Sequence, residues 1–465
     1  MFFSHNLFMK KLLVLLLLFS GLYSTAQESL NMSLLGHWDD DSLPTASPGN
    51  LNLQYSGCWA MAINGSEIAV LGGARHVLFF DITNPAQPEL IGKFLGTATT
   101  VWREMKSYKN RIYAVSDNTT EGMMIFDLSQ APDTIIQTYW SNAIFNNSHT
   151  ITLDTVSGRI YLNGSNLGTV GILDVSQNPD APQLLNGTFL PGNYIHDSYV
   201  RNDTLYASSG FDGYFVHDLT DPLNPVTLAS ATTGGYNHNS WLSADGHYAY
   251  YTEEIPAGKP IRIVDLQGLS DPMPEIEVIG GFLDNLTAGA PPSAIPHNVY
   301  IKDTLLFNSQ YEDGLLVYSI ADPINPILIA YYDTHPQNVG QYKGYYGNWG
   351  NYPWLPSGTI VAGDMQNGLF LLQLGASVSV GQPVQKLDVL LSPNPASDVL
   401  RVQVPMADGG WSYQLFNTAG VSLRQGYQLG NDAVEIARQN LSDGFYFIKI
   451  SDEKGNQTTK KVVFN

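Results

Sequence analysis

The sequence predicts an all-β protein, a seven-bladed β-propeller followed by a small Ig-like β-sandwich, and three observations carry that prediction. One line of residues recurs through the middle of the chain, its copies lie roughly 40–60 residues apart, and the texture changes near residue 386. The recurring line is an apolar run, an Asp and a Pro-rich turn. It reads VLFFDITNPAQP at Val77–Pro88, VGILDVSQNPDAP at Val170–Pro182, GYFVHDLTDPLNP at Gly213–Pro225 and GLLVYSIADPINP at Gly314–Pro326. Weaker copies at Gly122–Pro132, Ile261–Pro274 and Gly368–Leu374 bring the number to seven.

Each element of the unit follows from its residues. The β-branched and aromatic run reads as a buried strand. Asp81, Asp127, Asp174, Asp218 and Asp265 stand where a carboxylate can accept local backbone N–H groups and fix a turn, so they read as structural. The following proline forces extended backbone on its predecessor and stops the strand. Two more strands precede the run, as in HNVYIK and TLLFNS around residues 297–309, and a fourth follows it, as in ILIAYY at Ile327–Tyr332. Four short antiparallel strands make one blade. The last copy stops after its third strand, and SLLGHW at Ser33–Trp38 is expected to supply the missing fourth and hide the exposed edges.

Composition narrows the function. The net charge is -20, from 22 Lys and Arg against 42 Asp and Glu, with no basic cluster, which argues against nucleic acid or anionic membrane as a partner. Lys10 and Lys11 precede the apolar run Leu12–Phe19, and Ser24, Thr25 and Ala26 follow as small residues. This is the form of a secretory signal over residues 1–26, with cleavage expected after Ala26 and Met9 as a second candidate start. The run is about half the ~20 residues a membrane span needs, and no later stretch is long and apolar enough, so the mature chain is expected without a transmembrane helix and as a monomer. Cys58 is the only cysteine, so no intramolecular disulfide holds this exported chain.

After a polar linker at 376–386, residues 387–465 alternate as short strands of a separately folding module. Pro393, Asn394 and Pro395 in LLSPNPASDVLRVQV, Gly444 in LSDGFYFIKI and Lys461 in KKVVFN sit in segments that resemble the C-terminal sorting domain of the type IX secretion system. That resemblance implies passage of a bacterial outer membrane, with the type IX machinery as partner and a secreted or cell-surface destination. The stretch at about 33–374, within a domain spanning 27–375, resembles the choice-of-anchor B family built from LVIVD repeats, IRIVDL and VGILDV being its nearest copies. The family brings a bacterial surface propeller as an expectation and no activity.

Repeat phase then points to a site. His149, His196, His238 and His297 each begin an innermost strand, and Glu104 and Cys58-Trp59 are read into the same place in the second and first blades. The loops expected at that rim carry Asp117, Glu121, Asp212, Glu253, Glu254, Glu312, Asp313 and Asp364. Imidazoles and carboxylates around one opening suit a divalent metal. The bland reading is that repeats duplicate histidines by descent and each bonds only to its neighbouring blade. A second feature is the loop holding Tyr345, Tyr346, Trp349, Tyr352 and Trp354, whose aromatics suit a glycan or protein ligand or pack on one another as a lid. No nucleophile elbow, His-Glu-x-x-His pair or phosphate loop occurs, and no residue is assigned as catalytic. Two functions follow: an exported propeller that binds a ligand or partner at its His-bearing rim, and a metal-dependent hydrolase or lyase using the same histidines.

Overall fold

The aspartates that end the apolar runs make the turns their chemistry suggests. Asp81 Oδ1 accepts the backbone N–H of Thr83 at 2.9 Å, and Asp127, Asp174, Asp218 and Asp265 accept those of Ser129, Ser176, Thr220 and Gln267 in the same way. In a computed structural model these turns join strands throughout residues 29–48, 51–267, 269, 276–286, 293–337, 342–375, 387, 389–405, 409–417, 422–452 and 457–465, the residues described. The signal segment 1–26 and the linker 376–386 lie outside them. Among the described residues there is no α-helix.

The chain divides into two units, residues 1–379 and 380–465. The first unit opens with β1 (Ser29–Leu30) and β2 (Met32–Trp38). Seven antiparallel sheets follow, each with its strands in chain order. The first is β3 (Tyr55–Ile63), β4 (Ser66–Gly73), β5 (His76–Asp81) and β6 (Glu89–Leu95); the second is β7 (Arg103–Tyr108), β8 (Arg111–Ser116), β9 (Met123–Gln130) and β10 (Thr134–Ser141). The third is β11 (Thr150–Asp154), β12 (Arg159–Asn163), β13 (Val170–Asp174) and β14 (Gln183–Thr188). The fourth is β15 (Asp197–Arg201), β16 (Thr204–Ser208), β17 (Tyr214–Asp218) and β18 (Val226–Ala231); the fifth is β19 (Asn237–Leu242), β20 (Tyr248–Glu253), β21 (Ile261–Asp265) and β22 (Val278–Phe282). The sixth is β23 (Asn298–Lys302), β24 (Leu305–Ser309), β25 (Leu315–Ser319) and β26 (Ile327–Tyr332), and the seventh has β27 (Asn348–Tyr352), β28 (Ile360–Asp364) and β29 (Gly368–Leu374).

The N-terminal strands complete two of these sheets. β2 pairs with β29 from Met32 opposite Leu374 to Trp38 opposite Leu369, and β1 pairs with β26. The first strand of every sheet packs on that of the next, and β27 returns to β3, so the architecture is propeller-like. Burial falls outward: β23 is buried over Asn298–Ile301, whereas β6 is largely open. Cores lie between neighbouring sheets. Val361, Leu369 and Leu371 of the seventh sheet meet Ala60, Leu71 and Phe80 of the first, while Ile360, Phe370 and Leu372 turn to Phe307 and Val317 of the sixth.

The second unit has one sheet ordered β30 (Leu390–Ser392), β31 (Val399–Gln403), β34 (Val434–Ala437) and another ordered β33 (Ser422–Leu429), β32 (Gly410–Phe416), β35 (Gly444–Asp452), β36 (Gln457–Phe464). Both contribute to one apolar core, with Leu400, Val402 and Ile436 against Trp411, Ile448 and Val462. Asn394 clips β36: its Nδ2 donates to the Lys461 carbonyl and its Oδ1 accepts from Val463, both at 2.9 Å. Pro393 and Pro395 flank that clip, Gly444 opens β35 at a φ of 146°, and the Lys461 ammonium lies 3.8 Å over the Phe445 ring.

Candidate functional site

Four imidazoles from four consecutive sheets form a row. Ring centroids are 4.2 Å apart from His149 to His196, 4.1 Å from His196 to His238 and 4.1 Å from His238 to His297. The spacing comes from the packing of β11, β15, β19 and β23, at or beside whose first residues the histidines stand. Each of the last three binds the next sheet through Nδ1. His196 bonds to the carbonyl of His238 at 2.9 Å, His238 to that of His297 at 3.0 Å and His297 to that of Trp349 at 2.5 Å. A carbonyl only accepts, so Nδ1 carries the proton and Nε2 keeps its lone pair. His149 instead pairs Nδ1 with Asp117 Oδ2 at 2.9 Å.

Burial keeps His196, His238 and His297 neutral. It holds His297 down to about 3 and His196 and His238 well below the ordinary histidine value. Neutral imidazoles with free Nε2 lone pairs are acceptors and metal ligands.

The row floors a cavity of about 560 Å³. Trp102, Tyr194, Tyr236, Tyr311, Tyr345 and Trp349 supply aromatic walls, Leu51, Leu53, Val101 and Met365 apolar surface, and Asp117 and Glu254 carboxylates. Beyond the floor lies a second space of only about 10 Å³, bounded by Glu104, Lys106, Thr150, Asp197, Asn298 and Tyr300 as well as by the row. The imidazoles therefore separate a ligand-sized chamber from a tight polar one.

The pairing register places Glu104 differently from its expected phase. Tyr108 opposite Arg111 and Arg201 opposite Thr204 close equivalent turns, and Glu104 and Asp197 stand at the same distance before them. Glu104 thus aligns with Asp197, and Arg103 takes the histidine place. Arg103 is buried against Glu121 at 2.6 Å. Glu104 sits below the floor, accepts the Trp349 indole N–H at 2.6 Å and lies 4.0 Å from Lys106. Burial raises its pKa and that of Asp197, whose carboxylate is held by Asn239 at 2.8 Å and Thr150 at 3.0 Å. Gly57 makes room for this: a Cβ there would come within 2.6 Å of the Glu104 carboxylate.

The aromatic segment also separates. Trp349 lies in β27 in the histidine phase, its carbonyl serving His297, and Tyr345 stands on the cavity wall. Tyr346 stacks on His335 instead, with centroids 5.9 Å apart. Tyr352 and Trp354 turn to another cluster, with Trp59 at 4.9 and 5.9 Å and Trp241 5.3 Å from Trp354. Of the rim acids, Glu253 at the end of β20 pairs with Arg262 of β21 at 2.8 Å, while Asp313 accepts from Tyr342 at 2.7 Å and Glu312 accepts the N–H groups of Lys343 and Gly344, tying two loops together. Glu254 faces the cavity, its carboxylate accepting from the Tyr311 hydroxyl at 2.8 Å, and burial raises its pKa. Its donor atoms and those of His238 and His297 lie within 4.8 Å of one another. The sequence marked Glu254 only as one of several rim acids, and Trp102, Tyr194, Tyr236 and Tyr311 carried no signal apart from their aromatic character.

Residues 391–465 match the family described as the secretion system C-terminal sorting domain. No curated protein matches the chain. The class is thus an all-β, propeller-like protein carrying an export domain. It is a protein of the type IX route, secreted or held at the outer-membrane surface.

Proposed function

We propose that residues 27–375 form a seven-bladed β-propeller of the LVIVD-repeat, choice-of-anchor B kind, which binds a small hydroxylated ligand, a glycan unit above all, in the cavity over the histidine row. Residues 387–465 form the Ig-like β-sandwich that directs it outside, and residues 1–26 its signal peptide. The observation that carries the reading is the chamber of about 560 Å³, whose walls offer flat aromatic faces and whose floor offers unprotonated Nε2 acceptors. Aromatic faces take the C–H faces of a sugar ring, and fixed acceptors take its hydroxyls.

A glycan array tests this with the wild-type chain, Trp102→Ala and Trp354→Phe. Wild type is expected to retain a defined set of glycans, Trp102→Ala to lose affinity at least ~10-fold, and Trp354→Phe, outside the cavity, to match wild type. Retention unchanged in Trp102→Ala contradicts the reading. A second reading, the metal-dependent hydrolase or lyase, is favoured by one feature, the convergence of His238, Glu254 and His297.

A further inference from the structure

Three side chains at one end of the cavity floor differ from the rest of the row. His238 and His297 are buried, Glu254 is partly buried, and all three present donor atoms within 4.8 Å of one another. Among the described residues this is the one group of three such side chains that converges so closely. His196 stands next to His238 and falls outside the group, and His149 is committed to Asp117.

We propose that His238 Nε2, His297 Nε2 and a Glu254 carboxylate oxygen bind one divalent first-row transition ion, with its remaining coordination positions open to the cavity. The assignment narrows the proposed cavity function and rests on it: the ion gives a hydroxyl- or carboxylate-bearing ligand a place to coordinate.

Each ligand is already oriented by an outer partner, as metal ligands characteristically are. The carbonyl of His297 fixes the ring of His238, and the carbonyl of Trp349 fixes that of His297. The Tyr311 hydroxyl fixes Glu254 at 2.8 Å. Tyr311 itself has a φ of 42°, a left-handed conformation uncommon for a bulky residue, and its carbonyl accepts the backbone N–H of Asn348 at 2.8 Å in an isolated bridge. A strained residue held over a carboxylate is consistent with a built site. Two imidazoles and one carboxylate suit zinc, cobalt, iron or nickel, whereas calcium and magnesium prefer all-oxygen sets. Three protein ligands with open positions is the arrangement of sites at which metals bind exogenous molecules.

The test uses the full chain without a polyhistidine tag, stripped with a chelator and titrated with cobalt(II) by visible absorption and then with zinc(II) by competition. Wild type is expected to bind one equivalent. Glu254→Gln should lose at least ~100-fold in affinity and Tyr311→Phe ~10-fold, while His247→Gln on the surface should bind as wild type does. Thermal melting establishes that each variant is folded, and Tyr311→Phe keeps the test sharp if Glu254→Gln is not. Folded wild type that takes up no cobalt, or binding unchanged in both cavity variants, overturns the site. Trp102-dependent glycan binding by a protein that takes no metal would remove this inference and leave the cavity function standing. One metal bound beside no glycan would do the reverse.

Discussion

At the scale of single residues, the decisive fact is that a carbonyl cannot donate. It fixes a proton on Nδ1 of His196, His238 and His297, and burial holds those rings in the neutral state. Because the folded protein favours unprotonated imidazole, their contribution to stability is complete above the ordinary value of 6.5 and is lost as pH falls toward about 3 for His297. Each fully shifted imidazole is worth about 1.4 kcal/mol per pH unit across that window. Asp364, which burial raises to about 7, works in the opposite sense as pH falls from there toward 3.8. The comparison is therefore between wild type and His297→Gln. Urea unfolding followed from pH 7 to pH 4 is expected to show a shallower acid loss in the variant, and superimposable pH profiles would contradict the buried neutral ring. The four histidines were legible in the sequence because repetition gives them one phase. Trp349 shares that phase and was not legible as such, since NWGNY contains no histidine and lies in a Gly- and Asn-rich stretch that reads as loop. Glu104 was read one residue out of phase because Arg103 and Glu104 are both polar, and only the pairing across the Tyr108–Arg111 turn separates them.

At the scale of elements, the strand that completes the seventh sheet has the most to lose. β2 covers β29, and β29 carries Leu369 and Leu371 into the core shared with the first sheet. Gly36, beside the bulge in β2, lies against the Pro-rich turn of the first sheet, where an added Cβ would run into the Pro85 carbonyl oxygen. Overpacking of this kind costs roughly 1–3 kcal/mol. Gly36→Ala is thus expected to lower the melting temperature measurably by calorimetry, and an unchanged melting curve would show that β2 does not sit tightly on its neighbours. Strand positions were legible here because SLLGHW follows the strand pattern and the last repeat lacks a fourth strand. The close approach of Gly36 to Pro85 was not, because it joins residues far apart in sequence. Tyr352 and Trp354 make the same point: the segment Tyr345–Trp354 looks like a single aromatic loop, yet β27 begins inside it and carries its far end to Trp59 and Trp241.

At the scale of the whole molecule, successive sheets bring residues that are distant in sequence to one axis, so a weak signal in each repeat becomes a chamber with a continuous floor. The sorting module contributes address, and its motif residues act as structure: Asn394 clips β36 through the backbone of Lys461 and Val463. Export by the type IX route was readable from those short motifs because they are local in sequence. The cavity was readable only as a ring of candidate ligands. Which of them converge depends on Glu254 reaching across from the fifth sheet toward the histidine of the sixth, a distance no spacing records. The imidazole floor is the proposed place where this protein holds its ligands. A cobalt anomalous difference map from crystals of the full chain tests it most directly. One peak bounded by His238, Glu254 and His297 at the cavity end of the row is predicted, and a map whose only peaks lie away from that floor would contradict it.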